Sequence, residues 1–111
     1  METKEKISYE DFAKLDIRVG VVKEVYDIET ADKLYKILVN FGEEDVQILS
    51  GIKEFCTKEE LVGKQIIVLV NLEPRKMKGE VSNGMLLAVD NDNGISFLIP
   101  EKPVKAGEKV R

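Results

Sequence analysis

From Asp16 to Tyr26 the chain alternates: Ile17, Val19, Val21 and Val25 are apolar, while Arg18, Lys23 and Glu24 are polar. A period of two predicts a strand with one buried face. Gly20 within it predicts a bulge or a sharp bend. Before this strand, Ser8-Tyr9-Glu10-Asp11 predicts a short helix running to about Lys14, capped by Ser8, with Phe12 and Leu15 as its apolar face. After it, Asp27 to Lys33 is expected to be a polar loop. A second strand, Leu34 to Phe41, carries Tyr35, Ile37, Val39 and Phe41 on one side. A turn at Gly42 to Asp45 joins it to a third, Val46 to Leu49, as a hairpin.

The period then changes. Thr57-Lys58-Glu59-Glu60 has the form of a capping box, so one or two helical turns should follow and end near Gly63. Gln65 to Val70 is continuously apolar, a strand buried on both faces or closed into a barrel. Met85 to Val89 predicts a fifth strand and Ile95 to Ile99 a sixth, across a turn at Asp90 to Gly94. That turn has acidic residues two apart, but its glycine is misplaced for a calcium loop, and an Asx/Gly hairpin turn accounts for it. Pro100 and Pro103 end regular pairing, and Ala106-Gly107 marks a late turn. Strand count alone permits an SH3-like barrel. The helix between strands three and four favours an all-β, five-stranded OB-fold, a Greek-key barrel with N- and C-terminal extensions.

Composition narrows the chemistry. The 111 residues suit one domain, 1–111, and no internal repeat or linker divides them. There is no histidine and one cysteine, Cys56. A Cys/His nucleophile, a cysteine zinc site and the commonest general base are therefore excluded. No phosphate-binding glycine motif occurs, so no cofactor is expected and an enzyme is the least supported class. With no apolar run of membrane length and no signal-type segment, a cytoplasmic location is expected. The formal net charge is -4, which argues against a generic polyanion binder but leaves room for a local basic patch.

Such a patch lies between the fourth and fifth strands. Arg75, Lys76 and Lys78 cluster there, bracketed by Pro74 and Gly79 and flanked by Glu73 and Glu80. A charge run is ordinarily solvated surface. In OB domains, however, the loop joining strands four and five walls the oligonucleotide groove. Its cations can meet phosphates, while Asn71, Ser82 and Asn83 offer hydrogen bonds to base edges or 2′-hydroxyls. Met85 opens a strand as part of its filling. Met77, set among cations, suits core packing or contact with a base equally well.

The stretch N-L-E-P-R-K-M-K-G-E-V-S-N-G-M-L-L-A, Asn71 to Ala88, resembles the signature of the tRNA-binding OB domain. That family includes the domain appended to bacterial methionyl-tRNA synthetases, the endothelial-monocyte-activating polypeptide group, and free-standing or beta-chain forms. L-D-I-R-V-G-V-V at Leu15 to Val22, A-D-K-L-Y at Ala31 to Tyr35, S-G-I at Ser50 to Ile52, E-E-L-V-G-K at Glu59 to Lys64 and P-V-K-A-G-E-K-V at Pro103 to Val110 extend the likeness. Two departures stand out. Ile28, Glu29 and Thr30 replace a frequent His-Pro, and Asn83 stands where Gln or Glu is common.

The resemblance implies a homodimer that recognises tRNA by shape, without catalysis, either free-standing or as the beta subunit of methionyl-tRNA synthetase. Carried over by position, it assigns RNA contact to Asn71, Arg75, Lys76, Met77, Lys78, Ser82 and Met85, with Lys33 and Ser50 from flanking motifs; Asn83 remains a candidate RNA contact from its place in the loop. The expected partners are tRNA, a second copy of the chain and the synthetase's catalytic chain, with no membrane. The alternative is a dimeric peptide-binding secretion chaperone on the same fold, which the intact P-R-K-M-K-G and S-N-G-M segments disfavour.

Overall fold

A computed structural model describes residues 1–111. The chain is almost entirely β, with two short helices. The first predicted strand runs further than expected, as β1, Ile17–Ile28, but its burial does not keep a period of two: Val19, Val22, Val25 and Ile28 are buried and Val21 only partly so, because the register shifts between Val22 and Glu24. β2, Ala31–Asn40, and β3, Asp45–Ser50, follow as antiparallel neighbours. β4, Gln65–Leu69, pairs with the opening half of β1, and β7, Met85–Leu86, pairs with β4. The resulting sheet has the order β3-β2-β1-β4-β7. Two small hairpins flank it: β5, Arg75–Met77, with β6, Glu80–Ser82, and β8, Ala88–Asn91, with β9, Gly94–Phe97.

Side chains from one face of the sheet make the main core. Val22, Ile37, Val39, Ile48, Leu61, Ile66 and Val68 are fully enclosed, each contributing roughly 1.5–3 kcal/mol by leaving water. Leu61 comes from α2, Lys58–Leu61, whose capping box forms as expected: the Thr57 hydroxyl accepts from the Glu60 N–H and the Glu60 carboxylate accepts from the Thr57 N–H. A second cluster, Ile28, Ala31 and Leu49, lies on the opposite face, with Leu34 and Met77 packed on it.

Several expectations need correction. The polar loop at Asp27 to Lys33 is strand except for a tight turn at Glu29-Thr30, because Ile28 and Ala31 pair and are buried. The register shifts there, so Asp32, Lys33 and Leu34 bulge out of the β1–β2 ladder. Gly20 marks a close approach rather than a bulge: a Cβ on it would stand 2.4 Å from Val39 Cγ1 and 2.8 Å from the Phe41 ring. The irregularity in that part of β1 falls between Val22 and Glu24. The single fifth strand is two, β7 and β8, parted at Leu87, whose N–H donates to Ile67 and whose carbonyl accepts from Leu98.

The C-terminal extension is pinned to the sheet. Gly107 and Val110 donate to Val19 and Ile17, and Val19 donates to Glu108, so residues 107–110 cover the free side of early β1. The N-terminal helix α1, Tyr9–Ala13, forms with Ser8 as its cap but buries none of its residues. Its apolar face stays in solvent, with Phe12 36% and Leu15 44% exposed. No helix is long and apolar enough to cross a membrane.

Candidate nucleic-acid interface

The basic stretch is not an irregular loop. Arg75 to Met77 and Glu80 to Ser82 pair residue for residue, leaving Lys78-Gly79 as the two-residue turn. Both turn residues have positive φ, 51° at Lys78 and 79° at Gly79. That combination matches the right-handed twist of a tight hairpin. Lys78 is the only non-glycine residue in the chain held there, at a cost of roughly 1–2 kcal/mol for an ordinary side chain.

The hairpin is fastened to β3. Gln47 Nε2 donates to the Val81 carbonyl at 2.9 Å, and the Asn83 N–H donates to the Gln47 carbonyl at 2.9 Å. The Ser82 hydroxyl accepts from the Leu49 N–H at 2.9 Å and donates to the Gly84 carbonyl at 3.0 Å. Met77 adds an apolar anchor on Ile28, Ala31 and Leu49. The Met77 side chain thus takes its core role while also facing a recess.

That recess, about 250 Å³, lies between the hairpin and the sheet. Of the expected contacts, Ser50, Arg75, Met77, Ser82 and Met85 line it, together with Leu34, Leu72 and Glu73. Lys76 and Lys78 project from the same hairpin, and the Asn83 side chain is exposed at its foot. Lys33 flanks the recess in the bulge of β2; its carbonyl accepts from the Lys53 N–H beside Gly51. Lys33, Arg75, Lys76 and Lys78 are all exposed, and none is in an ion pair. Arg75 Nη2 rests 3.4 Å from Met77 Sδ. Glu80 is drawn toward the sheet by Lys36, 3.7 Å away, which leaves the hairpin tip positive.

Two expected residues are committed to the chain itself. Ser82 is 5% exposed and spends its hydroxyl on Leu49 and Gly84. Asn71 stands apart from the recess: its Oδ1 accepts from the Asp16 N–H and its Nδ2 donates to the Lys14 carbonyl, tying the N-terminal segment to the end of β4. Gln47 holds the hairpin and Lys36 stands beneath it near Glu80, and sequence reading missed both. The available signal was an amide and a cation at outward positions between apolar residues.

Replacing Ser82 by alanine should cost about 1–3 kcal/mol, because the buried Leu49 N–H loses its acceptor. Urea unfolding would measure it, and an unchanged midpoint would contradict the bonding described.

A larger cavity, about 890 Å³, opens on another side between the Phe41–Glu44 turn, Asp16, Arg18 and residues 105–108. Arg18 grips Asp16 through two hydrogen bonds there, at 2.8 and 3.1 Å, and holds its carboxyl below the usual range. Elsewhere Lys58, with Lys53, lowers Asp27, and Lys23, with Asn40, lowers Asp45. Burial raises the Cys56 thiol, so it stays protonated.

A carboxylate whose folded pKa is depressed contributes stability that is present above its unfolded pKa and is lost as pH falls through the folded value. Stability should therefore be flat from about pH 5 to 8, where a chain without histidine has no side chain in transition. It should fall only below about pH 4, as Asp16, Asp27 and Asp45 protonate. Melts across pH 3–8 test this, and a loss centred near pH 6 would contradict it.

Residues 17–109 match the family model described as "Putative tRNA binding domain". The chain is 48% identical over 107 residues to the methionine–tRNA ligase of Pyrococcus horikoshii, covering 96% of this chain and 15% of the ligase. It thus spans about one-seventh of that relative's length. Among solved structures, a MetRS related protein from Pyrococcus horikoshii superposes with TM-score 0.89 at 35% identity, over 97% of this chain and all of that one. The CsaA chaperone protein from Picrophilus torridus superposes with TM-score 0.88 at 34% identity, over 96% of this chain and all of that one.

Proposed function

This chain belongs to the tRNA binding domain family, and from that premise we propose that it is a structure-specific tRNA-binding module, non-catalytic on its own. It acts free-standing or as the beta subunit of a methionyl-tRNA synthetase, in the cytoplasm. The observation that carries this reading is the β5–β6 hairpin, a ribbon fastened to β3 that presents three unpaired cations beside a recess of about 250 Å³. Exposed cations contribute little to folding, and Lys78 keeps its side chain at a backbone position where glycine would be unstrained. Strain retained at an exposed cation points to a ligand.

In this reading Arg75, Lys76, Lys78 and Lys33 meet phosphates, and Met77 and Met85 wall the recess for a base or ribose. Ser50 and Asn83 offer hydrogen bonds from its margins. Ser82 and Asn71 act by positioning, the first through the hairpin and the second through the N-terminal segment. The domain is a single unit, 1–111, with the topology of a five-stranded OB barrel. The hydrogen bonds from β3 to residues 81–83, and α2 between β3 and β4, support that topology. The bare apolar face of α1 supports a two-fold homodimer, which would double the phosphate contacts.

The second reading, a peptide-binding chaperone, draws on the likeness to the CsaA protein and on the cavity that Phe41, Val46 and Val70 line. Salt separates the two. Anisotropy of labelled bulk tRNA should show saturable binding that weakens steeply with salt, while an unfolded polypeptide binds poorly. Polypeptide binding that ignores salt, with tRNA no better than any polyanion, would replace the first reading by the second.

A further inference from the structure

Tyr26 lies on the outward face of β1, paired across the ladder with Lys36 of β2, which is paired in turn with Leu49 of β3. Leu49 is the residue that donates to Ser82, and Lys36 reaches Glu80, so this row runs directly under the basic hairpin. Neighbouring strands stand about 4.8 Å apart, which puts Tyr26 roughly 10 Å from Leu49. The ring is 43% exposed, and Lys36 Nζ stands 5.3 Å from its centroid.

The other exposed aromatic rings lack this setting. Tyr9 and Phe12 face each other on α1 with centroids 6.4 Å apart. Phe55 shares its recess with Glu54, Glu59 and Glu60, and the two lysines there, Lys53 and Lys58, are both held by Asp27, so no free cation stands beside the ring. Tyr26 alone combines an open ring, an adjacent cation and continuity with the hairpin.

Resting on the RNA-binding reading, we infer that Tyr26 is a stacking platform for an unpaired nucleobase of the bound RNA. Lys36 meets the phosphate of the same nucleotide. Every base offers a π-face, so the platform demands an accessible base rather than a sequence. The Lys36–Glu80 pair is long and partly exposed, with the two side chains 29% and 34% accessible. Such a pair contributes little and yields to a phosphate.

The test is a tRNA titration with four variants of the full chain, each checked by thermal melting. Tyr26→Ala should weaken binding about tenfold with its salt slope unchanged, and Tyr26→Phe should bind as the wild type does. Lys36→Gln should instead reduce the salt slope by about one. The chain has no tryptophan, so Tyr26→Trp introduces a single fluorophore that stacking should quench when tRNA saturates the protein. Three results overturn the inference while leaving the RNA-binding reading in place: Tyr26→Ala binding within twofold of wild type, an equal loss with Tyr26→Phe, or unmoved tryptophan emission. No binding by the wild type would overturn both.

Discussion

Replacing Arg75, Lys76 and Lys78 together by glutamine is expected to weaken tRNA binding about a hundredfold at moderate salt. Each cation that meets a phosphate contributes on the order of 1 kcal/mol, and about 1.4 kcal/mol is a factor of ten. The salt dependence should flatten as well, since each lost phosphate contact removes roughly 0.7–0.9 from the log–log slope. Melting should hardly move. The three side chains are exposed and outside any ion pair, and the hairpin keeps its anchors at Gln47, Ser82 and Met77. Anisotropy across a salt series measures both quantities. Wild-type affinity in the triple variant would remove the hairpin from the site.

The largest expected effect on folding comes from Gly20→Ala. The added methyl would meet Val39, fully buried and stiff at χ1, and the Phe41 ring. Val39 is enclosed by the core, so β1 must move away from β2 or the two side chains must leave their rotamers. Overpacking of this kind costs about 1–3 kcal/mol, and the 2.4 Å approach places this site at the upper end. At roughly 4–8 °C per kcal/mol for a domain near this size, melting should fall by about 10–20 °C. A melting temperature within about 3 °C of wild type would show that the sheet has slack here.

Gly20 also marks how far the sequence could be read. Alternation and turn signals located β1 to β3, a continuous apolar run located β4, and capping chemistry located both helices, because those signals are local. A glycine inside a strand signals either a bulge or a close approach, and only the opposing Val39 and Phe41 decide between them. The same holds for the basic stretch. Its charge and bracketing Pro and Gly were plain in the sequence, but the 75–82 pairing depends on Gln47 and Ser82 bonding across 33 or more residues. Ser82 and Asn71 looked like exposed donors because their partners, Leu49, Lys14 and Asp16, are distant in the chain. Asp27 to Lys33 read as a loop because its polar residues face outward around a buried Ile28–Ala31 pair.

In the proposed complex, tRNA seats on the outward face built by the β5–β6 hairpin and the β1–β3 sheet. The most direct measurement is the shift of backbone amide signals in isotopically labelled protein titrated with tRNA at physiological salt. Saturable shifts confined to residues 26–36, 47–52 and 72–85 are the predicted result. An absence of saturable shifts there, or shifts confined to residues 16–18, 41–46 and 105–108 that an unfolded polypeptide reproduces, would rule out this seat.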